Sequence, residues 1–210
     1  MEHARTGWIA AVLLAALANG SCIDIPGPPD GPQDPDCLKS AVFGPPSESD
    51  YVLPYLPDSA YTVFQTYCGP VSHGKDGQMS IDFLMEEGTE VVAARSGVVR
   101  SVTDRHADDS RSFNHIYVEH EDGSSAFYGH LLQGGARVAQ GDSVAQGQVI
   151  ALSGSSGTSL PHLYFGVARE WPPRHPDDFP VNFSNAEGEL DARGGLKRGV
   201  AYRALRPKDN

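Results

Sequence analysis

The chain has 210 residues, 40% of them hydrophobic, enough to bury one core of ordinary size within one or two domains. Its formal net charge is −11 and its 16 Lys and Arg form no block, which excludes a phosphate-binding basic face and with it a nucleic-acid partner. The 23 Gly and 16 Pro fall between short β-branched runs, so many short strands and turns are expected in place of long helices.

In chain order, the first feature is residues 8–18 (WIAAVLLAALA), an unbroken apolar run preceded by Arg5. It falls short of the roughly 20 residues that cross a bilayer and has the size of a secretory h-region. Two processing readings stay open. Ala16-Leu17-Ala18 is an A-x-A site for ordinary signal peptidase, whereas Asn19-Gly20-Ser21-Cys22 resembles a bacterial lipobox with Asn where an aliphatic residue is usual. The lipoprotein reading is favoured, because a lipid on Cys22 leaves Cys37 and Cys68 as an even pair able to form one disulfide in an oxidising compartment. The other reading leaves Cys22 as an unpaired thiol. Residues 1–21 are therefore a leader. The protein is expected in the bacterial cell envelope, held to a membrane through Cys22, or else secreted after cleavage near Ala18.

Residues 22–50 are rich in Pro, Asp, Gly and Ser and poor in apolar residues, and are expected to be an extended tether. Folded structure is expected from 51, with a first strand over 60–67. Residues 68–79 (CGPVSHGKDGQM) are loop-like, and 80–84 (SIDFL) is a short strand carrying Asp82. Strands follow over 88–94 and 97–102, then a polar loop over 106–113. Residues 115–120 and 125–130 flank Asp122-Gly123 and predict a hairpin. Residues 138–142 and 144–148 form a near-repeat of two turns before a strand over 149–152. Residues 154–167 (GSSGTSLPHLYFGV) pass from a Gly/Ser turn into a strand whose period of two puts His162 and Tyr164 on one face and Leu163, Phe165 and Val167 on the other, the core face. Residues 180–183 and 200–205 are expected as two edge strands of a C-terminal extension, 171–210. No segment has a helical period over three turns. The fold class predicted is all-β, two packed antiparallel sheets.

Asp82 in "IDF", "GTEVVAARSGVV", "YGHL" around His130, "VAQGDSVAQGQVIALSGSSG" and "PHLYF" occur in the order seen in lysostaphin-type (LytM-like) zinc metallopeptidases, and the resemblance covers roughly residues 61–167. It implies a duplicated-hybrid-motif-like peptidase domain with a cleft, here 51–170, acting on peptides of peptidoglycan. Such a site holds zinc by three protein ligands and leaves a fourth position for water. By the resemblance, Asp82 matches the carboxylate ligand. His130 and His162 match the histidines that move protons or steady the oxyanion.

Two positions depart from the family pattern. The histidine usual four residues before the Asp is Gln78 here, and the displaced candidate is His73, on a loop with Gly74 and Gly77; a solvated loop histidine is the alternative. The usual third ligand, the second histidine of "H-L-H-F", is Tyr164. A phenol, with a pKa of about 10, would ligate only if ionised by the metal, so zinc is expected to be weakly held or absent. The candidate metal set is His73, Asp82 and Tyr164, and the candidate catalytic pair is His130 and His162. His120 is expected to pack in the hairpin, and His106 and His175 to lie solvated in loops.

Three functions are open to these residues: a zinc endopeptidase on peptidoglycan, a pseudopeptidase that binds wall peptides or regulates another wall hydrolase, and a lipoyl- or biotinyl-carrier domain. The carrier needs a modifiable lysine near its turn, and there is none between Asp104 and Lys197. The peptidase and the pseudopeptidase remain.

Overall fold

The computed structural model describes residues 31–71, 73, 79–108, 110–173 and 178–206; the expected leader, Cys22, Gln78 and His175 lie outside the described residues. Among the described residues no helix is long and apolar enough to cross a membrane.

The strands are β1 (Ala60–Gln65), β2 (Ile81–Leu84), β3 (Glu90–Val92), β4 (Gly97–Thr103), β5 (Asn114–Glu119), β6 (Ser125–Leu131), β7 (Ser143–Val144), β8 (Val149–Leu152), β9 (His162–Ala168), β10 (Ala186–Glu187) and β11 (Ala201–Ala204). They make two antiparallel sheets. The larger runs β10-β11-β1-β2-β9-β6-β5-β4-β7, and the smaller pairs β3 with β8. The alternation in β5 shows why the chain chose this form: Ile116 and Val118 are fully buried while His115, Tyr117 and Glu119 are half-buried on the other face. Phe83, Val118, Tyr128 and Phe165 of the large sheet join Val91, Ile150 and Ala151 of the small one in a single core. The near-repeat before β8 becomes two tight turns because Gly141 and Gly147 take φ of 97° and 79°, a region that costs a residue with a Cβ.

Two expectations change. Of the expected tether, the described part from Gly31 onward is seated on the domain. Gln33 Nε2 donates to Tyr67 O, Asp34 N donates to Cys68 O, Ala41 is buried, and Cys37 is bonded to Cys68. Cross-linking and backbone hydrogen bonds hold a segment whose side chains alone could not. At the other end, residues 180–183 form no strand. Val181 and Phe183 are buried as core plugs while the Asn182 amide donates to Gly44 O, so the segment is spent on packing. Its place is taken by β10, and β11 lies between β10 and β1, not at an edge.

The Cys37–Cys68 bond closes a loop of sequence separation 31. Its loss, by reduction or by replacing both cysteines with Ser, is expected to cost about 3–4 kcal/mol in the chain-entropy account. Denaturant unfolding with and without reductant checks this, and equal midpoints would show that the segment is held without the bond.

Candidate functional site

Three adjacent strands, β2, β9 and β6, carry four of the five residues singled out from sequence, and His73 lies on the loop before β2. In the register of β2 with β9, Asp82 lies opposite Tyr164 and Leu84 opposite His162; in that of β6 with β9, Gly129 lies opposite Tyr164. Asp82, His162 and Tyr164 therefore share the open face of the large sheet.

His130 reaches that face by a different route. Tyr128 is buried and Leu131 is buried, so strict alternation along β6 would turn residue 130 into the core. Instead the pairing slips: His115 pairs with Gly129 and Asn114 with Leu131, leaving His130 as the extra residue of a β-bulge with φ 59°. A left-handed backbone at a non-glycine residue costs of order 1 kcal/mol or more and persists only where the surroundings enforce it. Here Ser156 does so from both ends. Its hydroxyl receives Asn114 N and donates to Leu131 O, and its carbonyl holds the His130 ring.

His73 is wholly buried, and so is not a solvated loop histidine. Its Nε2 stands 3.4 Å from Asp82 Oδ1, and His162 Nε2 stands 3.9 Å from the same oxygen. The rings of His130 and His162 are 4.5 Å apart between centroids, and those of His73 and Tyr164 are 5.3 Å apart. Asp82, His130, His162 and Tyr164 line one groove of about 690 Å³, walled by Phe113, Tyr117, Phe127 and Leu160, while His73 is buried against Asp82 and does not line it.

The hydrogen bonds settle which way the imidazoles face. His73 Nδ1 contacts Thr66 O at 3.2 Å, His130 Nδ1 contacts Ser156 O at 2.8 Å and His162 Nδ1 contacts Leu160 O at 2.7 Å. A carbonyl only accepts, so each Nδ1 carries a proton and Nε2 is the nitrogen each ring has left for another partner. The other carboxylate oxygen, Asp82 Oδ2, receives Gln65 Nε2 at 3.2 Å, and Gln65 Oε1 receives Val71 N on the loop leading to His73. Burial acts to raise the Asp82 carboxyl, but His73, with His162 and His130 beyond it, outweighs burial and holds the group below its ordinary value. Burial and the nearby His162 push His130 down, which keeps it neutral near pH 7.

The fit to zinc can be tested on two atoms. His73 Nε2 and Asp82 Oδ1 are both buried and have no hydrogen-bond partner among the described residues. Bonds of ~2.0–2.1 Å at the tetrahedral angle place two zinc ligands roughly 3.3 Å apart. The observed 3.4 Å matches that separation. Metal-binding imidazoles also commonly have the second nitrogen tied to a carbonyl, as here. These two residues fit. Tyr164 does not. Its hydroxyl accepts from Ser80 Oγ at 2.8 Å, and burial pushes the phenol up, so it stays protonated. Among the described residues no three His, Cys, Asp or Glu side chains stand close enough, as placed, to hold a metal ion.

The remaining histidines fall elsewhere. His120 is buried with Nδ1 on Ser96 O and its ring against Tyr51. His115 lies on the open face beside Phe127, and the His106 backbone is held by Asn114. Sequence reasoning passed over the groove walls and the residues that orient the site, Gln65, Ser80 and Ser156. Alternation along β6 could have marked Phe127 as an open-face ring; nothing local marks Gln65 or Ser156, whose partners are distant in the chain.

The profile described as "Peptidase family M23" matches residues 76–176. No curated protein matches the chain. Among solved structures, the catalytic domain of the antimicrobial peptidase lysostaphin from Staphylococcus simulans is similar at 30% identity, over 52% of this chain and 79% of that one, with TM-score 0.39. A point mutant of the catalytic domain of the prophage-encoded M23 protein EnpA from Enterococcus faecalis is similar at 24% identity, over 59% and 94%, with TM-score 0.47. The SpoIIQ–SpoIIIAH pore-forming complex is similar at 23% identity, over 62% and 90%, with TM-score 0.45. Through residues 76–176 the chain belongs to peptidase family M23, as a LytM-like domain.

Proposed function

We propose that this protein is an exported zinc peptidase that hydrolyses peptide bonds of peptidoglycan. The single observation that carries the reading is that His73 Nε2 and His162 Nε2 stand 3.4 and 3.9 Å from one buried carboxylate oxygen, Asp82 Oδ1, with the His130 ring 4.5 Å from that of His162. His73 and Asp82 would hold zinc, which when bound supplies Lewis acidity to a water and to the scissile carbonyl. The chain's own residues do the rest. His130, neutral and with Nδ1 tied to Ser156 O, accepts the proton of the attacking water at Nε2 and passes it to the leaving amine. Its bulged backbone and the Ser156 carbonyl fix the ring for that transfer. The walls at Phe113, Tyr117 and Phe127 bound a groove open enough for an extended peptide. Export has its own support in the apolar run 8–18 and in a disulfide that persists only outside a reducing cytosol. A lipid on Cys22 belongs to the same reading, and Cys22→Ser would move the protein from the membrane fraction to the soluble one.

Purified protein supplied with zinc is expected to release new amino termini from isolated peptidoglycan. His130→Ala should lower that rate by roughly 10²–10⁴-fold, the usual contribution of a general base. The second reading, a pseudopeptidase that binds wall peptides without cutting them, is favoured by one observation: the neutral Tyr164 phenol at the family's third ligand position. Retention on peptidoglycan with no new amines would decide for it.

A further inference from the structure

We propose that the Cys37–Cys68 cross-link is a positioning element of the site: it holds the turn that delivers His73 to Asp82, so the pair assembles only in the oxidised chain. The inference goes beyond the hydrolytic reading and does not rest on it, since it concerns how His73 and Asp82 meet, not what they hold. His73 follows Cys68 by five positions, and the chain doubles back between them. His73 Nδ1 thereby reaches Thr66 O at 3.2 Å, and its Nε2 lies 3.4 Å from Asp82 Oδ1. The turn is tight. A Cβ at Gly69 would lie 2.6 Å from Gln65 Cγ and 2.8 Å from Thr66 O, so this close approach requires a glycine. Val71 N donates to Gln65 Oε1 at 3.1 Å, and Gln65 Nε2 reaches on to Asp82 Oδ2 at 3.2 Å. Cys68 itself has φ 53°, a left-handed backbone that a residue with a Cβ keeps only where its surroundings enforce it.

What enforces it comes from the amino-terminal side. Gln33 Nε2 donates to Tyr67 O at 2.7 Å, and Asp34 N donates to Cys68 O at 2.8 Å. Cys37 is bonded to Cys68, and the Phe43 ring meets that of Tyr67 edge-on at 4.7 Å. With Ala41 and Met79 these residues form a small cluster of their own, apart from the main core. The tip of the turn has no such burial, since Val71 is 71% exposed. On the opposite side Thr66 Oγ1 donates to Leu196 O at 2.9 Å, which fixes the residue before the turn and leaves its course to the cross-link. A dithiol that exchanges with the bond leaves two thiols and closes into its own cyclic disulfide. Residues 33 and 34 then hold the turn by hydrogen bonds that water can replace, and His73 leaves Asp82. The site therefore stays unassembled in a reducing cytosol and forms once the chain enters an oxidising compartment.

The experiment treats the full oxidised chain with diethyl pyrocarbonate, which acylates accessible imidazoles, and reads each histidine by peptide mass mapping. His73 and His120 are both buried, so both resist the reagent in the native protein. His120, held by Ser96 O and the Tyr51 ring between β5 and β6, reports on the fold as a whole. In Cys37→Ser/Cys68→Ser, labelling of His73 is expected to rise by roughly tenfold or more while that of His120 stays unchanged, the pattern of a local opening. If the double variant folds poorly, folded wild type reduced with dithiothreitol gives the same comparison, and re-oxidation should restore protection of His73. Equal protection of His73 with and without the cross-link would overturn the proposal. A joint rise at His73 and His120 would also overturn it, because the bond would then stabilise the whole fold and not this turn. Failure of the oxidised protein to cleave peptidoglycan would sink the hydrolase reading and leave this inference standing. Undiminished cleavage by the double variant would do the reverse.

Discussion

Tyr164→His is expected to raise zinc affinity by about 100-fold, because it replaces a neutral oxygen with an imidazole nitrogen at a position facing the same carboxylate. Residue 164 lies directly across from Asp82 in the β2–β9 register, on the open face, with its ring 5.3 Å from that of His73. The phenol there is kept protonated by burial and held by Ser80. A histidine is shorter, so it withdraws from Ser80 and leaves its nitrogen nearer the carboxylate. The variant supplies the third imidazole or carboxylate donor that the site lacks among the described residues, and peptide cleavage should rise with affinity. Calorimetric zinc titration of the two proteins checks the first effect. An unchanged affinity would mean that His73 and Asp82 are not arranged as ligands at all.

Asp82→Asn should have an effect of opposite sign and comparable size: zinc weakened by roughly 10³-fold or more and peptidoglycan cleavage lost, with the fold retained. The amide keeps the shape of the carboxylate and can accept from Gln65 Nε2, so packing against β1 survives. What disappears is the charge. The variant also tests the electrostatics of the metal-free protein. Asp82 titrates below its ordinary value when folded, chiefly because His73 outweighs the burial that opposes it. A depressed folded value means that the ionised group stabilises the fold above the unfolded value, about pH 3.9, and that this contribution is lost as pH falls through the folded value. Denaturant midpoints of metal-free wild type should therefore drop more steeply below about pH 4 than those of Asp82→Asn. Parallel curves would show that Asp82 is not specially stabilised by its histidines.

The two departures from the family pattern met different fates in three dimensions. His73, nine positions ahead of Asp82, looked as much like a solvated loop residue as a ligand. The structure buries it completely against Asp82, with its ring fixed by a carbonyl of the segment after β1. His73 thus stands beside the carboxylate even though the position four residues before it is Gln78. At Tyr164 the deficit remains, because Ser80 supplies the phenol with a partner of its own.

Sequence by itself determined the all-β class, the order of the central strands along the chain and the core face of β9, because these depend on local alternation and on motifs whose residues are near neighbours. Only the tertiary structure decided which residues orient the site and how. His130 faces the groove because a bulge against Asn114 and a hydroxyl from Ser156, far along the chain, override its place in the alternation. Residues 31–50 lie on the domain because Cys68 and backbone carbonyls from a distant strand end receive them. In each case the deciding partner is remote in sequence, and no periodicity within a strand can report a hydrogen bond or a cross-link made to another one.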